Sequence, residues 1–324
     1  MGSWQLISFT VGTLVVSCAT NAWARSDGTT YGVGIEQGRS FASNQTVRAE
    51  FAGDAQNCLR LAAAGVGTRN ADPTTQTAGG IIQLSGPNRN NTLWAGLYWV
   101  ILDDAEPTHV NEVVLNGTPV VPEALPVTDS PCWRQQKAYA YFADVTDLVQ
   151  GGPNYVSGLD DSGQNNVAPE SEGASLIVVY RDRFSSACEI VITDGNDLLK
   201  FGGAGRDNAL PLACGSGLPA RMWVVAGDGQ DAPDHQYWND ATLGGGDNLD
   251  ASDPKATSVV RSGWDTDGFD VITSSSNVAS VRLPVLGNAD CVNWVATAIE
   301  VGVSECRTVS VEPQTWGRIK GSYR

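Results

Sequence analysis

Short apolar runs recur along the body of this 324-residue chain, and turn residues separate them. Ten of these runs read as strands: Ile81–Leu84, Leu93–Leu102, Val110–Leu115, Ala138–Val145, Ala174–Tyr180, Glu189–Thr193, Met222–Ala226, Phe269–Thr273, Val278–Leu286 and Val292–Val303. The separators Asn116-Gly117, Gly151-Gly152-Pro153 and Gly244-Gly245-Gly246 are loop chemistry. No stretch carries a sustained 3.6-residue period. Many short strands at this spacing predict an all-β sandwich or barrel. Leu93–Leu102 is apolar at both alternating sets of positions, so both of its faces are expected to be covered.

The order of signals repeats. Leu97–Val100, Val114–Gly117, Phe142–Thr146, Tyr155–Gly158 and Leu176–Tyr180 are echoed by Trp223–Ala226, Trp238–Leu243, Phe269–Thr273, Ala279–Val281 and Trp294–Ile299. The echo predicts two tandem jelly-roll-like β-sandwiches. Their boundary is expected in the Gly-rich stretch Phe201–Pro219, giving a first domain over 25–200 and a second over 201–306.

The ends carry different information. Residues 1–24 read as a secretory signal, with an apolar run from Leu6 to Val16 and Ala22-Trp23-Ala24 as the small-x-small cleavage site. This segment has no Lys or Arg, and its apolar run is shorter than the roughly 20 residues that cross a bilayer. No later run is long enough either, so the expectation is an exported mature chain without a membrane span. Cysteine usage agrees. Beyond Cys18, the six residues Cys58, Cys132, Cys188, Cys214, Cys291 and Cys306 suggest disulfides, and none forms a CxxC pair. With the boundary at 200/201 each domain holds three cysteines, so one bridge at least must cross it. Residues 307–324 form a tail in which Trp316, Ile319 and Tyr323 fall at helical spacing among Arg318, Lys320 and Arg324. Trp316, Ile319, Lys320, Tyr323 and Arg324 are candidate recognition residues of a sorting or attachment tag.

Three blocks carry a resemblance: Ala95-Gly96-Leu97-Tyr98-Trp99, Ala143-Asp144-Val145-Thr146 and Ser175-Leu176-Ile177-Val178-Val179-Tyr180. They resemble the A-x-L-Y-W, A-D-V-T and S-L-x-V-V-Y blocks of a widespread group of secreted bacterial and archaeal surface β-sandwich proteins. The resemblance implies a surface-layer, adhesin-like or matrix component and brings no catalytic residues with it. The tail is similar to W-G-x-I-K-x-x-Y-R endings of other exported bacterial proteins.

Composition narrows the chemistry. Lys and Arg number 20 against 36 Asp and Glu, a net charge of −16, which argues against nucleic-acid binding. The two histidines, His109 and His235, accompany no HExxH and no G-x-S-x-G elbow. Acidic loops are more suggestive. Asp228, Asp231 and Asp234, and then Asp265, Asp267 and Asp270, are candidate calcium ligands, since calcium takes six to eight oxygens from such loops. Turn capping by aspartate is the ordinary alternative. Tyr237 and Trp238 are candidate ligand-binding aromatics, because glycan sites pair aromatic faces with polar groups.

These readings lead to an exported, non-catalytic cell-surface or matrix protein, with calcium as the one cofactor considered. Other surface proteins, glycans or further copies of the chain are its expected partners. A carbohydrate-binding module is the first alternative and a secreted hydrolase the second.

Overall fold

A computed structural model describes residues 40–53, 58–69, 74, 77–108, 110–129, 135–164, 167–200, 204–227, 235–243, 263–283 and 291–305. Almost all of them lie in strands or in the turns that join strands. In chain order these are β1 (Ser40–Ala42), β2 (Thr46–Ala52), β3 (Leu59–Gly67), β4 (Thr77–Leu84), β5 (Thr92–Asp103), β6 (Val114–Leu115), β7 (Thr118–Pro119), β8 (Glu123–Ala124), β9 (Thr128–Asp129), β10 (Lys137–Asp144) and β11 (Gly152–Asp160). Then come β12 (Glu170–Arg181), β13 (Ser185–Ser186), β14 (Glu189–Lys200), β15 (Gly205–Ala209), β16 (Pro219–Gly227), β17 (His235–Trp238), β18 (Ala241–Thr242), β19 (Trp264–Ile272), β20 (Val278–Arg282), β21 (Cys291–Val301) and β22 (Ser304–Glu305). Val110–Glu112, expected as the start of a strand, is a single 3-10 turn leading into β6.

Four sheets account for nearly all strands. In the first half the orders are β3-β12-β5-β10 and β4-β11-β6-β7, with β8 and β9 flanking β10. In the second half they are β14-β21-β16-β19 and β15-β20-β17-β18. Counted within its half, each of the eight strands in these orders has a counterpart at the same place, among them β3 with β14, β5 with β16, β10 with β19 and β12 with β21. The echoed segments sit on such counterparts. Even the tight hairpins correspond. Asn116 and Gly117 join β6 to β7 with φ of 52° and 81°, and Asn239 and Asp240 join β17 to β18 with φ of 47° and 65°. Two consecutive positive φ values match the right-handed twist of a two-residue hairpin, and Asn, Asp and Gly tolerate them best.

Strand alternation builds three cores. Leu97, Trp99 and Ile101 of β5 meet Ile82, Leu115 and Val156 from the facing sheet. Tyr98 and Val100, on the other face of β5, pack with Ile192, Val225, Trp264 and Ala298 of the second half. Met222, Val224 and Trp294 then meet Trp238, Ala279 and Val281. The sheets containing β5 and β16 are therefore inner layers covered on both sides, and the sheets containing β4 and β20 are outer layers. This is why Leu93–Leu102 reads as apolar on both faces.

The pairing redraws the expected boundary at 200/201. β14, which ends at Lys200, pairs with β21, and β2 joins the same sheet on β14's other side. β1 lies parallel to β15 in the second outer sheet. The second half thus takes in β14 and recruits two strands from the beginning of the chain, and the described residues belong to one compact unit.

Buried polar bonds join the two inner sheets through their shared core. Arg60 on β3 places Nε and Nη2 each 3.1 Å from the Glu300 carboxylate on β21, which also accepts the Leu61 N–H at 2.9 Å. Arg48 on β2 donates from Nε to Asp194 on the neighbouring strand of its own sheet at 2.6 Å and, at the surface, from both terminal nitrogens to Glu123 of the first half at 2.9 and 3.0 Å. The Tyr98 hydroxyl donates to the same Asp194 oxygen at 3.3 Å. Trp264 Nε1 donates to Ser175 Oγ at 2.7 Å, and that hydroxyl bonds Thr266 Oγ1 at 2.7 Å. Burial pushes Asp194 above the usual carboxylate range, against the pull of Arg48. A buried charge without a partner costs several kcal/mol, so these pairs fix how the halves face each other.

Candidate functional site

A cavity of about 500 Å³ opens where the halves meet, lined by Ser43, Asn44, Thr128, Asp129, Asp197, Leu198 and Arg206 among others. The strand β14 makes it. Between Asp194 and Asp197 the register with β21 shifts, so Gly195-Asn196 forms a bulge that turns Asp197 toward the opening. A side chain at Gly195 would collide with Asn44. The turn between β1 and β2 docks into this bulge: Asn44 Nδ2 donates to the Asn196 carbonyl at 2.8 Å, and Asn196 N donates to Asn44 Oδ1 at 2.8 Å. Asn196 Nδ2 reaches across to the Ala138 carbonyl of the first half at 2.9 Å.

Asp197 is the chemical centre of the cavity. The Asn44 N–H donates to both carboxylate oxygens, at 3.0 and 3.1 Å, and Arg206 Nε stands 3.4 Å away. Burial outweighs both and pushes the carboxyl up to about 6. Thr128 Oγ1 is buried beside it with no hydrogen-bond partner among the described residues. Asp129, at the rim, accepts from Lys137 Nζ at 2.9 Å. This set can hold a small polar molecule and can exchange a proton near neutral pH. Among the described residues no Ser–His or Cys–His pair lines it, and the Asn44 bond ties both Asp197 oxygens to the β1–β2 turn. The carboxylate therefore acts first as a strap for that turn.

A second acidic group lies at the same end of the inner sheets. Arg69 Nη2 donates to Glu172 Oε1 at 2.6 Å and Nε stands 3.6 Å from Glu170, which accepts from Gln135 Nε2 at 2.9 Å. Nearby, Asp161 accepts from the Ser171 and Gly163 N–H groups at 2.8 and 2.6 Å, while burial pushes it up to about 6.

The sequence-derived candidates fare differently. Asp265, Asp267 and Asp270 lie on strand β19 and not in a loop. Asp265 and Asp267 pair with Ala226 and Val224 and share their face, whereas Asp270 pairs with Arg221 on the opposite face. The three carboxylates cannot close on one ion, and Asp270 stands 3.4 Å from Arg221 Nη1. Asp228, Asp231, Asp234 and His109 lie outside the described residues, as do Trp316, Ile319, Lys320, Tyr323 and Arg324 of the tail. No cluster of three metal-ligating side chains occurs among the described residues.

Tyr237 and Trp238, the candidate ligand-binding aromatics, lie on β17. Trp238 is a core residue whose Nε1 donates to the Ile272 carbonyl at 2.7 Å. Tyr237 faces outward beneath the Arg282 guanidinium, 4.9 Å from its ring centroid, with the His235 ring edge-on at 6.1 Å. Cys188 and Cys214 are joined, with Cα atoms 6.3 Å apart. This bridge spans the expected boundary at 200/201, as one bridge there was expected to; by strand pairing both of its ends lie beside the second inner sheet, because Cys188 immediately precedes β14. Cys58 and Cys291 are also disulfide-bonded; Cys132 and Cys306 lie outside the described residues.

The sequence did carry a signal for Asp197 that reasoning passed over. Ile192-Thr193-Asp194-Gly195-Asn196-Asp197-Leu198-Leu199 sets two carboxylates inside an apolar strand. Carboxylates in such a run need buried partners. Arg48, Asn44 and Arg206 are too distant in sequence for spacing to name them. Compared with known proteins, the sequence matches no family model and no curated protein.

Proposed function

We propose that the chain is an exported, non-catalytic component of a cell surface or extracellular matrix, built as two tandem jelly rolls. The strand orders support the second part, since a jelly roll is eight strands wound into two packed sheets. The observation that carries the first part is how the buried charges are used. Arg48, Arg60, Asp194, Asp197 and Glu300 all hold one segment of the fold to another. A rigid, disulfide-bonded body of this kind suits a display or spacer role outside the cell.

Export is read from residues 1–24 and the disulfides, and attachment from the basic tail. Calcium enters this reading through Asp228, Asp231 and Asp234, because β19 separates the other three candidates. The test is fractionation of cells that express the full chain and a version lacking 314–324. The full chain should appear processed and outside the cytoplasm, and the shortened chain should fold but leave the surface fraction. Full-length protein retained unprocessed in the cytoplasm sinks the reading. In the purified protein, excess chelator should lower the melting temperature; an unchanged curve removes calcium from the account.

A further inference from the structure

Along the outer sheet of the first half runs a strip whose outward side chains carry no charge; the row ends at Thr77, which pairs with the buried Asp160. Its outward positions are Ile81 and Gln83 on β4, Pro153, Tyr155 and Ser157 on β11, and Val114 on β6. Their inward neighbours Ile82, Leu84, Val156 and Leu115 belong to the first core, which fixes the direction of every one. Tyr155 pairs directly with Ile81, and both stay about half exposed, at 54% and 47%. Pro153 pairs with Gln83, and Ser157 with Val114. Gly79 continues the outward row of β4, and a side chain there would run into the backbone of Val156 and Ser157. The platform is thus low around a single projecting aromatic ring.

We propose that this face binds a neutral polysaccharide. This rests on the reading of the chain as a surface component and names its partner. Charge selects the class. A polyanion is repelled by a chain of net charge −16, and a polycation would gather on the carboxylates elsewhere. The partner that fits an uncharged, apolar strip flanked by an amide and a hydroxyl is itself uncharged. It has apolar faces to stack on Tyr155 and Ile81, and hydroxyls for Gln83 and Ser157. A pyranose chain has both, and an extended one matches a flat sheet. Tyr supplies rigid contact area at little entropic cost, which suits it to anchor such a contact. The counterpart face of the second half offers no such ring, since Arg282 already covers Tyr237.

The experiment is affinity electrophoresis of the purified full chain through gels holding a soluble β-1,4-glucan, a β-1,3-glucan, a mannan or a xylan. A polygalacturonate gel is the acidic control. At least one neutral gel should retard the protein, and the acidic one should not. Tyr155→Ala should weaken retardation by at least about tenfold, while Tyr155→Phe keeps most of it and Tyr237→Ala leaves it unchanged. Tyr155 is exposed, so unchanged melting will show that the variants fold. Folded protein retarded by none of the neutral gels overturns the proposal, as does retardation that survives Tyr155→Ala. If sedimentation instead reveals a dimer that Tyr155→Ala dissociates, without glycan binding, the face belongs to a second copy and the proposal falls. Glycan binding by a chain that fractionation places inside the cell would leave this inference standing and remove the surface reading.

Discussion

The two halves share a strand order, yet their outer sheets show solvent opposite chemistry. Facing outward from the first half are Ile81, Gln83, Pro153, Tyr155 and Ser157. The second half presents Asp207, His235, Tyr237 and Arg282, and Arg282 bonds Asp240 at 2.6 Å while standing 3.7 Å from Asp207. The inward positions of the same strands are alike: Ile82 and Val156 on one side, Gln236, Trp238 and Val281 on the other, all buried. Topology is thus held by the inward alternation and the paired hairpins. The outward positions are free to diverge, and in this protein they have.

The largest expected effect tests whether the cores are as equivalent as the topology implies. Trp99 fills the first core and Trp294 the third, both fully buried. Replacing either by Ala should cost about 3–5 kcal/mol in denaturant unfolding. A large loss for one and a small loss for the other would mean that the halves are unequal in stability despite their shared order. Next comes the bond between the halves. Arg60→Met leaves the buried Glu300 carboxylate without its guanidinium and should cost about 3 kcal/mol. If the loss is below about 1 kcal/mol, the size of an exposed pair, the inner-sheet contact is held by apolar packing alone. Gly173→Ala, on β12, places a methyl against the Trp264 ring of the second half and should cost about 1–3 kcal/mol through overpacking. A neutral outcome would show that the ring can move aside.

Much of this was legible in advance. β5, β10, β12, β16 and β21 fall on the predicted runs because central strands covered on both faces are continuously apolar, whereas β19, at a sheet edge, was legible only in its apolar end from Phe269. β17 was missed since His235-Gln-Tyr-Trp238 looks polar; its inward Gln236 and Trp238 alternate with outward His235 and Tyr237, a period too short to stand out in four residues. β2 and β3 were missed for a similar reason, as Thr46–Ala52 is an edge strand mixing Arg48 and Glu50 with small residues. The loop reading of Asp265–Asp270 gave way on period as well. D-T-D-G-F-D looks like a loop until strand pairing sends its last carboxylate to the far face. Asp197 escaped because its partners lie far away in sequence, and distance in the chain is what spacing rules cannot bridge.

The smallest effect is a dependence on pH. Asp161 and Asp197 are both pushed up to about 6 by burial. Unfolded, these carboxyls lose their protons near 3.9. Between about 4 and 6 the folded chain therefore holds protons that the unfolded chain has released, and stability falls as pH rises through that window. Melting temperature should be a few degrees higher at pH 5 than at pH 7. The double variant Asp161→Asn, Asp197→Asn should flatten that difference, and a slope that the variant leaves intact would assign it to other groups.

The N-terminal strands have a consequence in time. β2 leaves the ribosome, and any export channel, before every other long strand, but the strand that it pairs with spans Glu189–Lys200. The Asn44 amide waits for a carboxylate 153 residues further along. A chain stopped anywhere before β14 holds its opening strands with no sheet to join. Closure of the second half cannot precede completion of the first, because the segment between them must already have been made. Order of synthesis is thus built into the pairing: the part made first cannot be placed before β14 has been made.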